Sequence, residues 1–270
     1  MIERLRESCG RLLEEGTVQA VIGYDSEGRP AIVTAASDAG RLDWNEHCVA
    51  NLATYLKRKE IRDLGKPAVV VKACDERALV VLEQESQMER SSIYVIGVAC
   101  GGLGAPKCAA CDTRVPRFAD EVFGEAGPVE TASGGGALDA LLAKSPSERM
   151  AFWRAEFSRC VKCYACRQAC PLCYCRRCVA DKNRPVTIDT SATPKGNFAW
   201  HITRAFHLAA RCVGCGECTR ACPAGINLAL LNQTLARAAE EEFGYRAGQD
   251  RSTPPLIGAF APGDKEDFIR

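Results

Sequence analysis

Two stretches of this 270-residue chain carry the same cysteine spacing. Residues 160–171 read CVKCYACRQACP, and residues 212–223 read CVGCGECTRACP. Both follow the pattern C-x2-C-x2-C-x3-C-P without a gap. The whole chain has 17 cysteines, and eleven of them lie between Cys160 and Cys222. Thiols at such close and repeated intervals are typical of metal ligands.

The rest of the sequence argues against disulfide bonds as the purpose of these cysteines. Residues 1–7 alternate charged and apolar side chains and show no hydrophobic secretory core. No apolar run approaches the roughly 18 residues that a membrane helix needs. The sequence therefore predicts a cytoplasmic protein without a transmembrane segment, in which the thiols stay reduced.

Charge and length limit the function further. The chain has 35 Lys and Arg against 34 Asp and Glu, which gives a formal net charge of +1. A nucleic-acid-binding protein would show a basic excess, so we expect no nucleic-acid partner. The length suits one large domain or two medium ones.

The repeated spacing is that of bacterial ferredoxins with two [4Fe-4S] clusters. In that arrangement three cysteines of one run bind one cluster, and the fourth reaches the other cluster. Cluster one then takes Cys160, Cys163, Cys166 and Cys222, and cluster two takes Cys212, Cys215, Cys218 and Cys170. Zinc is the alternative, but zinc sites usually pair two C-x2-C knuckles and do not use four-cysteine runs ending in proline.

The first half of the chain alternates predicted strands and helices. A hairpin is predicted from Thr17–Tyr24 and Ala31–Ala35, followed by a helix over Asn45–Lys59. Two continuous apolar runs, residues 68–74 and 93–100, are typical of strands buried on both faces, and a helix is predicted between them. The order strand, helix, strand favours parallel pairing.

Composition divides the chain into four parts. Residues 1–125 predict a small α/β domain with a largely parallel sheet. Residues 146–245 predict an α+β, two-cluster ferredoxin-like domain. Between them, the glycine-rich residues 126–145 predict a linker with one helical turn at Ala137–Ala143. Residues 246–270 are predicted to form an extended tail over a neighbour or over the protein's own surface.

Four further cysteines are predicted to meet at one edge of the sheet. Cys74 and Cys100 lie at the carboxyl ends of the two buried strands, where open α/β sheets bind their ligands. Cys108 and Cys111 form a C-x2-C pair in the loop that follows. These four thiols predict a third [4Fe-4S] cluster.

Two alternatives to this third cluster remain open. Cys74 and Cys100 could be small apolar core residues, as free cysteines often are. A mixed ligand set could instead bring in a thiol from the C-x-C-x2-C run that follows the first block, formed by Cys173, Cys175 and Cys178. The sequence assigns no role to Cys173, Cys175 or Cys178.

A glycine-rich loop follows the second buried strand. Gly97, Gly101, Gly102 and Gly104 resemble part of a dinucleotide-binding loop, although the order G-x-G-x-x-G is absent. We take these four glycines as candidate cofactor-binding residues, with FAD as the candidate cofactor.

Two histidines lie on the predicted helix Phe198–Arg211, which leads into the second cysteine block. His201 and His207 are six residues apart and therefore lie on different faces of that helix. We expect each to be a structural group or a neighbour of a cluster, not a ligand.

The sequence also resembles a known protein family. Residues 66–79, KPAVVVKACDERAL, and residues 93–100, IYVIGVAC, resemble the core domain of the beta subunits of deazaflavin (coenzyme F420)-reducing hydrogenase and formate dehydrogenase. Residues 160–178 and 200–218 resemble the fused iron–sulfur subunits of formate dehydrogenase, hydrogenase and heterodisulfide-reductase-type complexes. The resemblance covers roughly residues 16–240. In this chain the ferredoxin part follows the α/β part, which differs from the hydrogenase subunit.

The resemblance implies an electron-conducting subunit, which in some members carries FAD and passes hydride to a deazaflavin. We therefore expect an iron–sulfur electron-transfer subunit of a cytoplasmic oxidoreductase complex, with catalytic or flavin-bearing subunits as partners. The alternative is a flavin-dependent reductase subunit that passes electrons from its clusters to a deazaflavin or another soluble acceptor. No residue of the chain is assigned a catalytic role.

Overall fold

A five-stranded sheet forms the centre of the first half of the protein. The computed structural model describes residues 1–127, 136–178, 180, 185, 189 and 191–258. The strands are β1 (Ala20–Tyr24), β2 (Pro30–Val33), β3 (Pro67–Val71), β4 (Tyr94–Val98) and β5 (Glu121–Phe123), in the order β2-β1-β3-β4-β5. β1 and β2 form an antiparallel hairpin, and the other three pairings are parallel. The predicted small and largely parallel sheet is therefore present.

Nine α-helices are present among the described residues. They are α1 (Ile2–Glu14), α2 (Lys59–Arg62), α3 (Ala73–Gln84), α4 (Ala137–Leu142), α5 (Pro146–Ser158), α6 (Ala165–Ala169), α7 (Pro194–His207), α8 (Glu217–Arg220) and α9 (Leu228–Phe243). Of the described helices, none is both long and apolar enough to cross a lipid bilayer.

The described residues after residue 136 form helices and loops, and no strand is found among them. The α+β character predicted for residues 146–245 is therefore not seen in that part of the chain. Helix-start signals explain the difference. Ser145 and Glu148 form a capping box at the start of α5, with Pro146 in its first turn, and Asn227 caps α9.

The predicted helix over Asn45–Lys59 is wrong. Within that range the structure has a 3-10 turn at Leu52–Tyr55 and only the first residue of α2. The carbonyls of residues 48–50 accept hydrogen bonds from the ammonium groups of Lys72 and Lys107, at 2.7 to 2.9 Å. Because these carbonyls are engaged elsewhere, this stretch does not form the backbone ladder of a helix.

The first half of the protein (residues 1–127) and the second half (from residue 136 onward) share a hydrophobic core. β3 is buried along its whole length and packs at the centre of that core. The same core contains buried residues of the second half, among them Cys170, Leu172, Leu208, Ala210 and Val213. A second core lies wholly in the second half, around Trp153, Phe157, Trp200, Ile226 and Leu228. The predicted domain boundaries stay predictions.

The segment after α9 returns to the first half. Arg77 of α3 donates to the carbonyl of Ala247 at 2.9 Å, and Gln84 donates to the carbonyl of Thr253 at 2.6 Å. Gly248 has φ +70, and a Cβ there would lie 2.2 Å from the carbonyl oxygen of Arg77, so only glycine fits. The described part of the predicted tail therefore lies over the protein's own surface. Residues 259–270 of that tail, and residues 128–135 of the predicted linker, fall outside the described residues.

Candidate metal centres

The four thiols assigned to cluster one line a single cavity. This cavity has a volume of about 360 Å³, part of which is open to solvent. The thiols belong to Cys160, Cys163, Cys166 and Cys222. The donor set fits a [4Fe-4S] cluster, because one thiolate is available for each iron.

Both cysteine runs bend in the same way. In the first run Lys162 and Tyr164 have left-handed backbone conformations, with φ of +56 and +59. Gly214 and Gly216 hold the equivalent positions of the second run, with φ of +72 and +75. Glycine adopts this conformation at little cost, whereas Lys and Tyr are strained by it. The sequence repeat is therefore also a repeat of backbone conformation, kept in the first run against local strain.

Apolar and aromatic side chains form the walls of the cluster-one cavity, among them Trp200, Ile226 and Leu228. His201 lies in the same wall, is 2% exposed, and stacks on the ring of Phe157 with centroids 4.5 Å apart. Burial, followed by the charges of Arg204 and Lys162, lowers the pKa of His201 to about 3. The imidazole is therefore neutral at ordinary pH, and its buried Nε2 has no hydrogen-bond partner in the part of the chain that the structure describes.

The thiols assigned to cluster two also lie near one another. Burial raises the pKa of Cys212 to about 11, and the thiol of Cys218 adds to the shift. Burial also raises the pKa of Cys215, which lies within electrostatic range of both. Cys170 comes from the first run, but its thiol is within electrostatic range of Cys215. These free thiols are protonated at neutral pH, so metal binding would displace their protons.

The two sets of thiols adjoin each other. Burial raises the pKa of Cys166 in cluster one to about 12, and Cys218 of cluster two acts in the same direction. These two cysteines lie on the short helices α6 and α8, which pack together. An electron passing between the two clusters would therefore travel a short path.

Cys173 lies beside Cys170, which is assigned to cluster two, and within electrostatic range of Cys166, which is assigned to cluster one. A hydrogen bond with the Cys170 thiol lowers the pKa of Cys173 to about 5, and the nearby Arg204 contributes to this shift. Cys175 is exposed, and Cys178 packs against the second core. The mixed ligand set considered for a third cluster stays an open prediction.

Only some of the four cysteines predicted at the sheet edge are seen to be neighbours of one another in the structure. Burial, then Asp75, raises the pKa of Cys74 to about 12, and Cys111 acts in the same direction. Lys72 lies within electrostatic range of both Cys74 and Cys100. The Cys100 sulfur accepts the backbone N–H of Gly102 at 3.3 Å. Of the residues that the structure describes, no three Cys, His, Asp or Glu side chains are arranged to hold a single metal ion.

The predicted cofactor glycines have identifiable backbone roles. A Cβ on Gly97 would lie 2.9 Å from the Cβ of Ala119 and 3.0 Å from that of Pro116, so Gly97 allows β4 to pack against the following loop. Gly102 and Gly104 have φ of +101 and +66, and Gly101 has open space around it. Their role in binding FAD stays a prediction.

Sequence reasoning missed the buried charges around these thiols. Lys72 and Asp75 form an ion pair of 2.6 Å whose side chains are 3% and 0% exposed, and Lys107 lies 3.8 Å from the same carboxylate. The available signal was a lysine at the end of an otherwise apolar run, with an aspartate three residues later. Arg204, buried beside the thiols of both clusters, had no comparable signal.

The chain is similar to known proteins both in its cysteine-rich region and along most of its length. Residues 156–226 match the family model described as a 4Fe-4S dicluster domain. The chain is 24% identical to the F420-dependent formate dehydrogenase subunit beta of Methanocaldococcus jannaschii, over 91% of this chain and 90% of the relative. It is 25% identical to the F420-dependent formate dehydrogenase 1 subunit beta of Methanococcus maripaludis, over 93% of this chain and 92% of the relative. The chain thus contains a 4Fe-4S dicluster domain and resembles formate dehydrogenase beta subunits along most of its length.

Proposed function

We propose that this chain is the iron–sulfur electron-transfer subunit of a cytoplasmic oxidoreductase complex of the formate dehydrogenase type. Two [4Fe-4S] clusters, bound by the ligand sets given above, relay single electrons between partner subunits. The observation that carries the proposal is the cavity lined by the four cluster-one thiols, which come from two runs more than forty residues apart. A partner subunit would carry the catalytic site.

The chain's own residues supply the environment of the relay. The apolar walls of the cluster-one cavity, including Trp200 and Leu228, limit the access of water to the thiols. The cluster supplies one-electron redox chemistry, and burial together with hydrogen bonds to sulfur sets its potential. No proton or bond-making step is assigned to this chain.

A third [4Fe-4S] cluster at the sheet edge, with Cys74, Cys100, Cys108 and Cys111 as ligands, would extend the relay. The surroundings of Lys107 support this extension of the relay. Burial disfavours its charge, but Asp75 and Cys74 raise its pKa above the ordinary value. Cys215, assigned to cluster two, acts in the same direction, so Lys107 is within electrostatic range of thiols from both sites. Lys72 and Lys107 carry two buried positive charges against the single carboxylate of Asp75, which suits an anionic centre beside them.

The names of the relatives favour a second function, in which this chain itself delivers electrons to a deazaflavin. FAD bound near Gly101, Gly102 and Gly104 would then connect the clusters to that acceptor. Flavin retained after gentle anaerobic purification, together with turnover on a soluble deazaflavin by this chain alone, would favour this function over the relay.

Iron and acid-labile sulfide analysis of the anaerobically purified chain tests the proposed function. We expect about eight irons per chain with two clusters and about twelve with three, together with equal sulfide. Cys166→Ala should lose about four irons, because cluster one loses a ligand. Cys9→Ala is the control, since Cys9 is fully buried in the first core and belongs to no ligand set.

Other outcomes of this experiment would contradict parts of the proposal. Zinc without acid-labile sulfide in the wild-type chain would overturn it entirely. A Cys100→Ala variant that keeps every iron of the wild type would contradict the ligand set proposed for the third cluster and leave the two-cluster relay intact.

A further inference from the structure

Arg204 is a buried cation beside both sets of cluster thiols. It lies on α7 and is 6% exposed. Its Nη2 donates to the carbonyl of Cys166 at 3.2 Å, while its buried Nε has no hydrogen-bond partner among the described residues. Of the ion pairs among described residues, none includes Arg204. A guanidinium buried without a carboxylate is costly, so its position calls for a compensating negative charge.

Cys173 supplies part of this charge, because its pKa is lowered to about 5 and its sulfur forms a hydrogen bond with Arg204, and the thiolates of bound clusters would supply the rest. Burial disfavours the guanidinium charge, but nearby thiols outweigh it and raise the pKa of Arg204 above its ordinary value. These thiols belong to Cys173, Cys170, Cys166 and Cys218. Cys166 belongs to cluster one, whereas Cys170 and Cys218 belong to cluster two. One side chain therefore faces both cluster sites.

We propose that Arg204 is a positioning residue shared by the two clusters. It raises the reduction potentials of both clusters, and it keeps the two potentials close to each other. This inference rests on the proposed function. A cluster with four thiolate ligands carries net negative charge, and each added electron increases that charge. A fixed cation in a low-dielectric site favours the reduced form. Because the same cation faces both clusters, it shifts both potentials in the same direction.

The hydrogen bond to the Cys166 carbonyl does not explain why this buried position holds a charged arginine. Any donor could make that bond, and a neutral donor would avoid the cost of a buried charge. The unpartnered Nε and the absence of a carboxylate partner among the described residues both indicate that the guanidinium is matched to sulfur. Guanidinium also offers several N–H donors in one plane, which a lysine ammonium cannot reproduce.

Redox titration of the anaerobic, cluster-loaded chain, followed by EPR, tests the inference. Arg204→Gln keeps an uncharged N–H donor on a shorter side chain and removes the charge. It should lower the reduced-to-oxidised ratio of both clusters at least tenfold at a fixed potential, a shift of about 59 mV for one electron. Arg204→Lys keeps the charge and should produce a smaller shift. The control is Arg237→Gln, because Arg237 lies on α9, is 39% exposed, and pairs with Asp139.

Several results would overturn the inference. Potentials that stay at wild-type values in a fully loaded Arg204→Gln chain would do so, as would a shift confined to one cluster or matched by the control. Loss of iron from both Arg204 variants would also overturn it, because the residue would then serve to hold the clusters and not to tune them. A wild-type chain that contains no iron and sulfide would instead overturn the proposed function.

Discussion

Lys72 shows how a single side chain organises one edge of the sheet. Its ammonium group is almost fully buried and donates to the hydroxyl of Tyr24 at 2.5 Å. It also donates to the carbonyls of Cys48 and Ala50, both at 2.9 Å, and pairs with Asp75. With three protons donated and a carboxylate beside it, the buried charge is compensated. The loop at residues 48–50 and the start of α3 are thereby fixed to each other.

Replacing Lys72 with methionine should strongly destabilise the protein. The variant leaves Asp75 buried with only the more distant Lys107, and it leaves the carbonyls of residues 48 and 50 with fewer donors. Breaking a buried ion pair in this way costs about 3–5 kcal/mol. Anaerobic urea unfolding followed by circular dichroism measures the loss.

The matched control for this prediction is Lys59→Met. The side chain of Lys59 is 79% exposed and pairs with Asp63 on the surface, so its loss should hardly change the unfolding free energy. Equal effects of the two substitutions would contradict the role assigned to Lys72.

The contrast between the cysteines and Lys72 shows what local sequence can predict. The spacing of each cysteine run predicted a common set of thiols, and the cluster-one set does line one cavity, because three of the four lie within one short loop. Lys72 takes its partners from residues 48 and 50, which only the folded sheet brings close. For the same reason the helix predicted over Asn45–Lys59 could not be excluded from its local composition.

At the scale of elements, one carboxylate holds α1 against the edge strand β5. Glu121 accepts hydrogen bonds from the hydroxyl of Ser8 at 2.6 Å and from Arg11 at 2.8 Å, both on α1. The hydroxyl of Tyr94 on β4 donates to the same carboxylate at 2.7 Å. β5 has only three residues, so side-chain contacts carry much of its attachment to the helix.

This contact should depend on pH. Burial opposes the charge of Glu121, but the hydrogen bonds from Ser8, Tyr94 and Arg11 prevail and lower its pKa below the ordinary value of 4.5. Because the folded pKa is the lower one, the stabilisation is present above about pH 4.5 and is lost as the pH falls through the folded pKa. Acid should therefore loosen α1 from the sheet.

Glu121→Gln should weaken the same contact at neutral pH. Hydrogen bonds to a charged group contribute about 1.5–3 kcal/mol, so the backbone amides of α1 should exchange hydrogen roughly tenfold faster or more in the variant. Well below pH 4.5 the variant and the wild type should exchange alike. Glu15→Gln is the control, since Glu15 is 55% exposed and lies 3.6 Å from Arg11. A difference between Glu121→Gln and wild type that is the same at both pH values would contradict the argument.

At the scale of the whole molecule, polar contacts join the two halves beside the shared core. Lys57 donates to the carbonyl of Cys170 at 2.6 Å. Glu85, at the end of α3, accepts from the hydroxyl of Tyr174 and from Arg211 at 2.6 Å. The Glu85 side chain is only 7% exposed. Composition predicted a linker between the halves, but it could not show that they pack together, because that packing depends on single residues scattered along the chain.

Glu85→Gln should therefore loosen the contact between the halves. The loss of a buried carboxylate that accepts two hydrogen bonds should cost about 2–3 kcal/mol. Faster hydrogen exchange around residues 174 and 211, with β3 unchanged, would reveal it. The control is Glu83→Gln on the same helix, where the carboxylate is 27% exposed and pairs with Arg251 on the surface. Exchange equally fast in both variants would argue against a role for Glu85 at this contact.

The return of residues 246–258 to α3 has a further consequence. The chain after α9 returns to the first half and is held there by Arg77 and Gln84 of α3. This return and the shared core both attach the described part of the second half to the first. In the proposed relay, electron transfer between the two ferredoxin-type clusters and a third cluster at the sheet edge would need no diffusional search, because folding itself sets the separation. The rate of that step would be a property of the native state, insensitive to the viscosity of the solvent.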